Sequence, residues 1–314
     1  MRRLLPLVLL VSACTSATTT PTATSTTPTP AATGAAAASA AAPAPHGFTV
    51  EEEARVLAME DRRELDAAFV DAWVSHPNVP HRQRIALALA RIGPHTFVDA
   101  NANGVRDAGE RQAGVEQLIR LTGDAEPLVR ETAVFALGEI GDATAVEPLL
   151  AIALRTGDGR VEAEAVEALS KMAKQVPFAR YATIVRGAGH AGTQARATRF
   201  LFRFDSDEAS ALAAEMLGSA VPVLRQEGAY TLARRAYAAA RPQLELLITD
   251  PNTLTRAYAV QALGRIASPQ SARVLVGALG DVHPWVRTNA TLALARIAAT
   301  DATVIKSNDL PRIL

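Results

Sequence analysis

ALARIG (88–93), ALGEIG (136–141), ALGRIA (262–267) and ALARIA (293–298) are four near-copies of one motif, and their spacing decides the fold. From the leucine of ALGEIG onward, a leucine recurs after 32, 32, 31, 31 and 31 residues. A small residue lies four positions before each of these leucines, which places both on one face of a helix. With the copy in ALARIG, the leucines are Leu89, Leu137, Leu169, Leu201, Leu232, Leu263 and Leu294. The pattern predicts a helix with a close-packed face, repeated along the chain.

A second apolar helix precedes these helices, as in VEQLIRL (115–121) and ARVLVGAL (272–279). The turn between the two helices has an Asp-to-Arg pattern, as in residues 124–130 and 281–287. We interpret the aspartate as an N-cap and the glycines of ALGEIG as C-caps. The predicted second helices lie near 80–92, 127–140, 160–173, 191–203, 221–235, 254–267 and 284–298.

This pattern resembles HEAT repeats, especially the short bacterial type shared with phycobilin-lyase-like proteins. The resemblance covers residues 62–300 and implies an all-α solenoid of about seven helical pairs. Thr49 and Glu52 have the spacing of a capping box, so residues 48–61 are predicted to form a capping helix. Residues 301–314 would be a terminal half-repeat or tail.

Composition narrows the function classes. Lysine and arginine number 32, as do aspartate and glutamate, so there is no basic excess of the kind that binds nucleic acid. Aromatic residues make up only 4% of the chain, which favours thin helices packed in pairs. The single cysteine excludes an intramolecular disulfide and a multi-cysteine metal site.

The chain opens with MRRLLPLVLLVSAC, a basic start and a short apolar run that is typical of a signal peptide. Its end resembles the lipobox of bacterial lipoproteins, which implies a signal peptide over residues 1–13 and acylation of Cys14. Residues 14–47 are rich in Thr, Ala and Pro and predict a disordered tether. We therefore expect the protein in the bacterial cell envelope, anchored to a membrane by lipid. Thr15, where an aspartate would signal inner-membrane retention, favours the outer membrane.

The segment DANANGVRDAGE interrupts the repeats within an insertion over residues 95–112. Its polar residues follow the pattern of an EF-hand-type calcium loop, which takes side-chain oxygens at alternate positions and a two-oxygen carboxylate at the last. The segment also resembles calcium loops of secreted bacterial proteins. The predicted calcium ligands are Asp99, Asn101, Asn103, Val105 through its carbonyl, Asp107 and Glu110. The alternative is a polar turn without a metal ion.

A row of arginines recurs at one position of the turns: Arg82, Arg130, Arg225, Arg256 and Arg287. Repeats three and four have Glu162 and Gln194 there instead. The row can tie neighbouring turns together through Asp–Arg ladders, or it can form a stripe that faces a ligand. The first hypothesis is the ordinary property of such arrays and is the one we favour.

Several other side chains invite a functional hypothesis. The histidines around the turn HPNVPH (76–81) are expected to be solvated rather than metal ligands. Trp73 has the spacing of a core residue, and Trp285 can pack or anchor a partner. Phe200, Phe202 and Phe204 alternate, so at least one of them should be exposed or lie on the concave face.

No catalytic motif is evident, and we predict a scaffold that is not an enzyme, a monomer that binds protein or peptide partners on its concave face. A second hypothesis starts from EEEARVLAMEDRRELD (51–66), which resembles exported chains that continue into a cyclophilin-type peptidyl-prolyl isomerase. This chain would then be the non-catalytic half of that system. A third hypothesis, a pigment lyase or bilin chaperone, follows from the repeat type alone, and export counts against it.

Overall fold

Each repeat is a pair of helices joined by a short turn. The computed structural model describes residues 47–98, 110–155, 157–187, 190–301 and 303, all within one unit, Ala41–Leu314. Over these residues an opening helix, α1 (Val50–Arg62), is followed by seven pairs. The first helices are α2 (Ala67–Val74), α4 (Val115–Leu121), α6 (Val146–Ala153), α8 (Phe178–Val185), α10 (Asp207–Leu217), α12 (Arg241–Leu247) and α14 (Ala272–Ala278). The second helices are α3 (Val79–Ile92), α5 (Pro127–Ile140), α7 (Gly159–Lys171), α9 (Ala191–Phe200), α11 (Pro222–Arg234), α13 (Thr253–Ile266) and α15 (Pro284–Thr300).

The all-helical prediction is confirmed over the described residues. They contain one isolated bridge, between Phe97 and Gln112, and no strand. The predicted start of α1 also forms, since Thr49 and Glu52 exchange side-chain-to-backbone hydrogen bonds of 2.7 and 3.1 Å. None of the helices in this part of the chain has the length and apolarity needed to cross a bilayer.

The repeating leucines form the core of the array. All seven are at most 1% exposed, and the alanines four positions before them, such as Ala133 and Ala259, are 0% exposed. Gly228 takes the small position in α11, where an added Cβ would lie 2.7 Å from the Ala213 carbonyl oxygen. The small residues therefore allow the close packing between helices that the period predicts.

Two glycines have a role that the sequence interpretation missed. Gly138 lies within α5 and Gly264 within α13, where an added Cβ would lie 2.7 Å from the Cβ of Ala168 or Ala293 on the next second helix. Only Gly141 is the C-cap that we expected, with φ of +70°. Successive second helices thus pack backbone against backbone, whereas successive first helices touch at few residues. The second helices consequently form the more closely packed layer of the array.

Candidate binding surface

The second helices expose a stripe of side chains opposite the first helices, which we call the inner face. Its exposed or half-buried members recur at intervals of three or four residues, one side of each helix. On α5 and α7 they are Leu128, Glu131, Phe135, Glu139, Arg160, Glu164, Glu167 and Lys171. On α11, α13 and α15 they include Val223, Tyr230, Arg234, Leu254, Tyr258, Arg265, Trp285 and Leu292. The inner face is where the array has side chains left for a partner.

From α1 to α9 the charges of this face pair with one another. Glu60 accepts from Arg84 and Arg91 at 2.6 and 2.7 Å, and Arg84 also reaches Glu53 at 2.8 Å. Three further pairs link successive second helices: Arg160 with Glu131, Lys171 with Glu139, and Arg196 with Glu167. Mutual pairing leaves little net charge on this half of the inner face.

Two glutamates of α7 differ in their pKa. Burial, with the neighbouring Glu167 carboxylate, raises the pKa of Glu164 above its usual range. For Glu167, burial acts to raise the pKa, but the hydrogen bond from Arg196 and the nearby positive charges of Arg196, Lys171 and Arg203 together lower it. The two carboxyl groups differ because, of the two, only Glu167 accepts a hydrogen bond from an arginine.

The other half of the inner face carries a row of aromatic rings, Phe202, Tyr230, Tyr258 and Trp285, which we call the aromatic diagonal. The three successive ring-to-ring distances are 5.9, 5.2 and 5.6 Å, and each ring meets the next edge to face. In sequence the rings are 28, 28 and 27 residues apart, one helical turn less than the 31-residue repeat. Each ring therefore lies one turn nearer the start of its helix than the ring before it, and the row crosses the face obliquely.

Arginines lie against the faces of these rings. The guanidinium carbon of Arg199 is 4.1 Å from the centre of the Tyr230 ring, and that of Arg234 is 5.0 Å from Phe202 and 5.4 Å from Tyr230. Arg203 lies 6.0 Å from Phe202. Cations at these distances are attracted to aromatic faces. Aromatic surface and positive charge thus occupy the same half of the inner face.

The arginine row forms the ladder that we favoured from the sequence. Among the described residues, all five arginines donate to two carbonyls of their own turn, and four of them also donate to an aspartate at the turn of the following repeat. The four ladder pairs are Arg82–Asp124 at 2.6 Å, Arg130–Asp158 at 2.9 Å, Arg225–Asp250 at 2.8 Å and Arg256–Asp281 at 2.7 Å. The hydrogen bond from Arg256 lowers the pKa of Asp281. The row stabilises the contact between repeats and leaves little of these arginines for a ligand.

The ladder aspartates are not the helix caps that the sequence suggested. Asp124, Asp250 and Asp281 each accept from the backbone N–H two residues later, at 2.8 to 2.9 Å, before the helix begins. Their second oxygen is needed for the arginine of the preceding repeat. The N-cap of α13 is Asn252, whose side chain accepts from two backbone amides.

The ladder stops at repeats three and four. Glu162 is 1% exposed, and its Oε1 accepts from the amides of Gly157 at 2.7 Å and Asp158 at 3.1 Å. Gln194 donates to the carbonyl of Val185 in its own repeat, at 2.8 Å. An open cleft of about 460 Å³ lies beside Glu162, between the turns of repeats two and three.

Most of the predicted calcium ligands lie outside the described residues. Glu110 is described and half-buried, whereas residues 99–109 are not, and neither is Cys14. Within the ranges that the structure does describe, no group of three His, Cys, Asp or Glu side chains is arranged to hold a metal ion. The calcium ligands and the lipidation site therefore stay predictions.

The histidines of the first turn are not solvated as expected. His81 is 3% exposed, contacts Phe48 and Trp73, and stacks on His76 with ring centres 3.7 Å apart. Burial, followed by the neighbouring His76, lowers the pKa of His81, although Glu52 acts to raise it. Trp73 is 3% exposed, which confirms it as a core residue. The sequence could not show that this turn folds back over α1.

The phenylalanine cluster divides between core and surface. Phe204 is 4% exposed and packs on Tyr181, with ring centres 4.4 Å apart. Phe200 and Phe202 stay half-buried on the inner face. From the sequence, Phe202 and Trp285 were candidates for separate reasons, and Tyr230 and Tyr258 between them were not recognised. The signal that could have revealed them is the spacing of 28, 28 and 27 residues, which is one helical turn shorter than the repeat.

A helical solenoid of this kind belongs to the class of repeat proteins, which present an extended surface. Two stretches of the chain, residues 115–178 and 240–306, match the family model for HEAT repeats. Over these two stretches the resemblance to HEAT repeats is confirmed. No curated protein sequence matches the chain.

Solved structures with a similar arrangement have low sequence identity to this chain. A HEAT-like repeats protein from the archaeon Thermococcus onnurineus NA1 is 16% identical over 61% of this chain and 88% of that one, with a TM-score of 0.45. The complex of CpcE and CpcF of phycocyanin lyase from Nostoc sp. PCC7120 is 16% identical over 80% and 93%, with a TM-score of 0.41. Human deoxyhypusine hydroxylase is 20% identical over 79% and 90%, with a TM-score of 0.35. At these scores the similarities carry no information about function, and a fold does not by itself decide catalysis.

Proposed function

We propose that the protein is a scaffold that binds a segment of a partner protein on its inner face. The observation that carries this proposal is the location of exposed apolar side chains. More than half of the large ones among the described residues lie on the inner face: Leu87, Leu128, Phe135, Val223, Leu254, Trp285 and Leu292. Clustered exposed apolar surface marks interaction sites, whereas scattered single residues do not.

Site-specific photo-crosslinking in cells tests this proposal. A photoreactive amino acid at Leu292, which is 52% exposed on the inner face, should capture a protein partner. The matched control is Leu246 on α12, which is 75% exposed and lies on the first-helix side. Equal capture at both positions, or capture at Leu246 alone, would contradict the assignment of the binding face. No observation favours the cyclophilin-type alternative.

The same proposal places the scaffold at a bacterial membrane through Cys14. Its support is the sequence: a basic start, a short apolar run, and the only cysteine directly after small residues. Two or more acyl chains on that residue would give stable anchoring. In cells, Cys14→Ala should abolish acyl labelling and leave unprocessed precursor, and unchanged labelling and size would contradict it.

We further propose that the insertion binds calcium. Its described ends support this, because Val98 N–H donates to the Arg111 carbonyl and Ala113 N–H to the Thr96 carbonyl, each at 2.9 Å. The pairing brings the chain directly before position 99 next to the chain directly after position 110. Those positions are the first and last ligands of an EF-hand-type loop, which must approach the same ion. The ion would order the insertion rather than report small changes in concentration.

Calorimetry on the full chain tests the calcium site. We expect one site with a dissociation constant on the order of 10⁻⁴ to 10⁻³ M, as in extracellular modules, and a rise in melting temperature with calcium. Asp99→Ala and Glu110→Ala should abolish both effects. Glu116→Ala, an exposed carboxylate at the start of α4, is the matched control and should change neither. Loss of binding in the control would mean general electrostatic attraction instead of a built site.

A further inference from the structure

The aromatic diagonal combines two properties that a partner must match. Its rings lie 5.9, 5.2 and 5.6 Å apart, a span covered by about five residues of extended chain at ~3.3 Å each. At one end Trp285 is 38% exposed. The row is therefore long, narrow and partly apolar, which suits an extended peptide better than a folded domain.

The charge beside the diagonal is positive and only partly compensated. Arg199 pairs with Glu227 at 2.9 Å, and Glu227 is itself buried. Within the part of the chain that the structure describes, Arg203, Arg234 and Arg265 make no ion pair with a carboxylate. This contrasts with the pairs described above between α1 and α9, in which arginines and glutamates neutralise one another. A partner on the diagonal would therefore need to supply the negative charge.

We propose that the aromatic diagonal binds an extended acidic segment of a partner protein. Aspartate or glutamate side chains of the segment lie on Arg203 and Arg234, at the Phe202 end of the diagonal, and its apolar or proline side chains lie on the rings towards Trp285. This inference rests on the proposed function and names the chemistry of the partner. Single-stranded nucleic acid is the less suitable ligand, since the rings already meet edge to face and arginines cover ring faces that bases would need.

Trp285 supplies the signal for a direct test on the full chain. The only other tryptophan, Trp73, is 3% exposed, so a ligand on the diagonal changes mainly the fluorescence of Trp285. The probe is a synthetic peptide of about ten residues in which Glu alternates with Leu and Pro, long enough at ~3.3 Å per residue to cover the diagonal. Matched peptides carry Gln or Lys in place of every Glu, and oligothymidylate is the nucleic-acid probe.

We expect the Glu peptide to bind, with an affinity that falls as salt screens the charges. Arg234→Glu and Trp285→Ala, both at exposed positions, should each weaken binding at least about tenfold, a change of about 1.4 kcal/mol. Because Trp285→Ala lacks the fluorescent reporter, calorimetry measures binding to that variant and, for comparison, to the unchanged protein. Arg273→Glu makes the same charge reversal on the first-helix side, at an exposed position of α14, and should leave binding unchanged. Thermal melting of the three variants checks that each is folded.

Several results would overturn the inference. Equal binding of the Gln or Lys peptide would show that negative charge is not what the diagonal recognises. Binding of oligothymidylate with the same dependence on Arg234 and Trp285 would assign the diagonal to nucleic acid. If no peptide binds while a crosslinker at Leu292 still captures a protein, the acidic class is wrong and the proposed function stands. If the crosslinker also captures nothing, both are wrong.

Discussion

Repeats three and six have equivalent cores, but the side chains at the matching position of their turns, Glu162 and Arg256, have opposite charges. Leu169 on α7 and Leu263 on α13 occupy equivalent positions of their repeats, and both are 0% exposed. At the turn, Arg256 of repeat six donates to two backbone carbonyls and to the next repeat, whereas Glu162 of repeat three accepts from two backbone amides. The core period and the turn chemistry are therefore separable, because a turn can satisfy a half-buried cation or a buried carboxylate by presenting different backbone groups.

The largest effect should be common to both repeats. Leu169→Ala and Leu263→Ala each remove a fully buried side chain, and we expect each to lower the free energy of unfolding by about 2–5 kcal/mol. Urea denaturation followed by circular dichroism measures both. A neutral result for one leucine alone would show that the two cores are not equivalent.

A smaller loss of stability should follow from a substitution that crowds two second helices. Gly264→Ala places a Cβ 2.7 Å from that of Ala293, and overpacking of this kind costs about 1–3 kcal/mol. Gly277→Ala is the control, since Gly277 is also helical but has no atom within 4 Å of an added Cβ. There the better helix propensity of alanine should stabilise the protein by about 1 kcal/mol. The same sign for both substitutions in thermal melting would show that Gly264 is not a packing glycine.

The core and the ladder could be predicted from the sequence because each repeats with the period itself. Leu137 and its equivalents recur at that period, and so do Arg256 and Asp281 with their counterparts. The aromatic diagonal was missed because each repeat shifts it by one turn, so no single aligned column contains it. Gly138 was misinterpreted as a cap because a glycine near a helix end is ordinarily one, whereas it is a packing glycine. The burial of His81 depends on the fold of residues before α2, which no periodicity describes.

Removing the ladder carboxylate of repeat six should have a moderate effect that depends on pH. Asp281→Asn keeps the shape but leaves the half-buried guanidinium of Arg256 without its anion, which we expect to cost about 1–2 kcal/mol at pH 7. Because Arg256 lowers the pKa of Asp281 in the folded state, this stabilisation is present above the unfolded value of about 4 and is lost as the pH falls through the folded pKa. Melting curves of the two proteins should therefore converge at acidic pH, and a constant difference would contradict the ladder.

The smallest effect is expected at the matching position of repeat three. Glu162→Gln keeps the Oε1 atom that accepts from Gly157 and Asp158, while the Oε2 that it replaces makes no hydrogen bond among the described residues. The Nε2 atom of His190 lies 3.9 Å from Oε2, in a side chain that is half exposed. The negative charge of Glu162 therefore contributes little stability. We expect Glu162→Gln to change the free energy of unfolding by less than about 0.5 kcal/mol. Glu162→Ala, by contrast, removes the acceptor from both amides and should cost about 1–3 kcal/mol. If Glu162→Gln proved as costly as Glu162→Ala, the edge of repeat three would depend on charge, as the edge of repeat six does, and the two turns would differ only in sign.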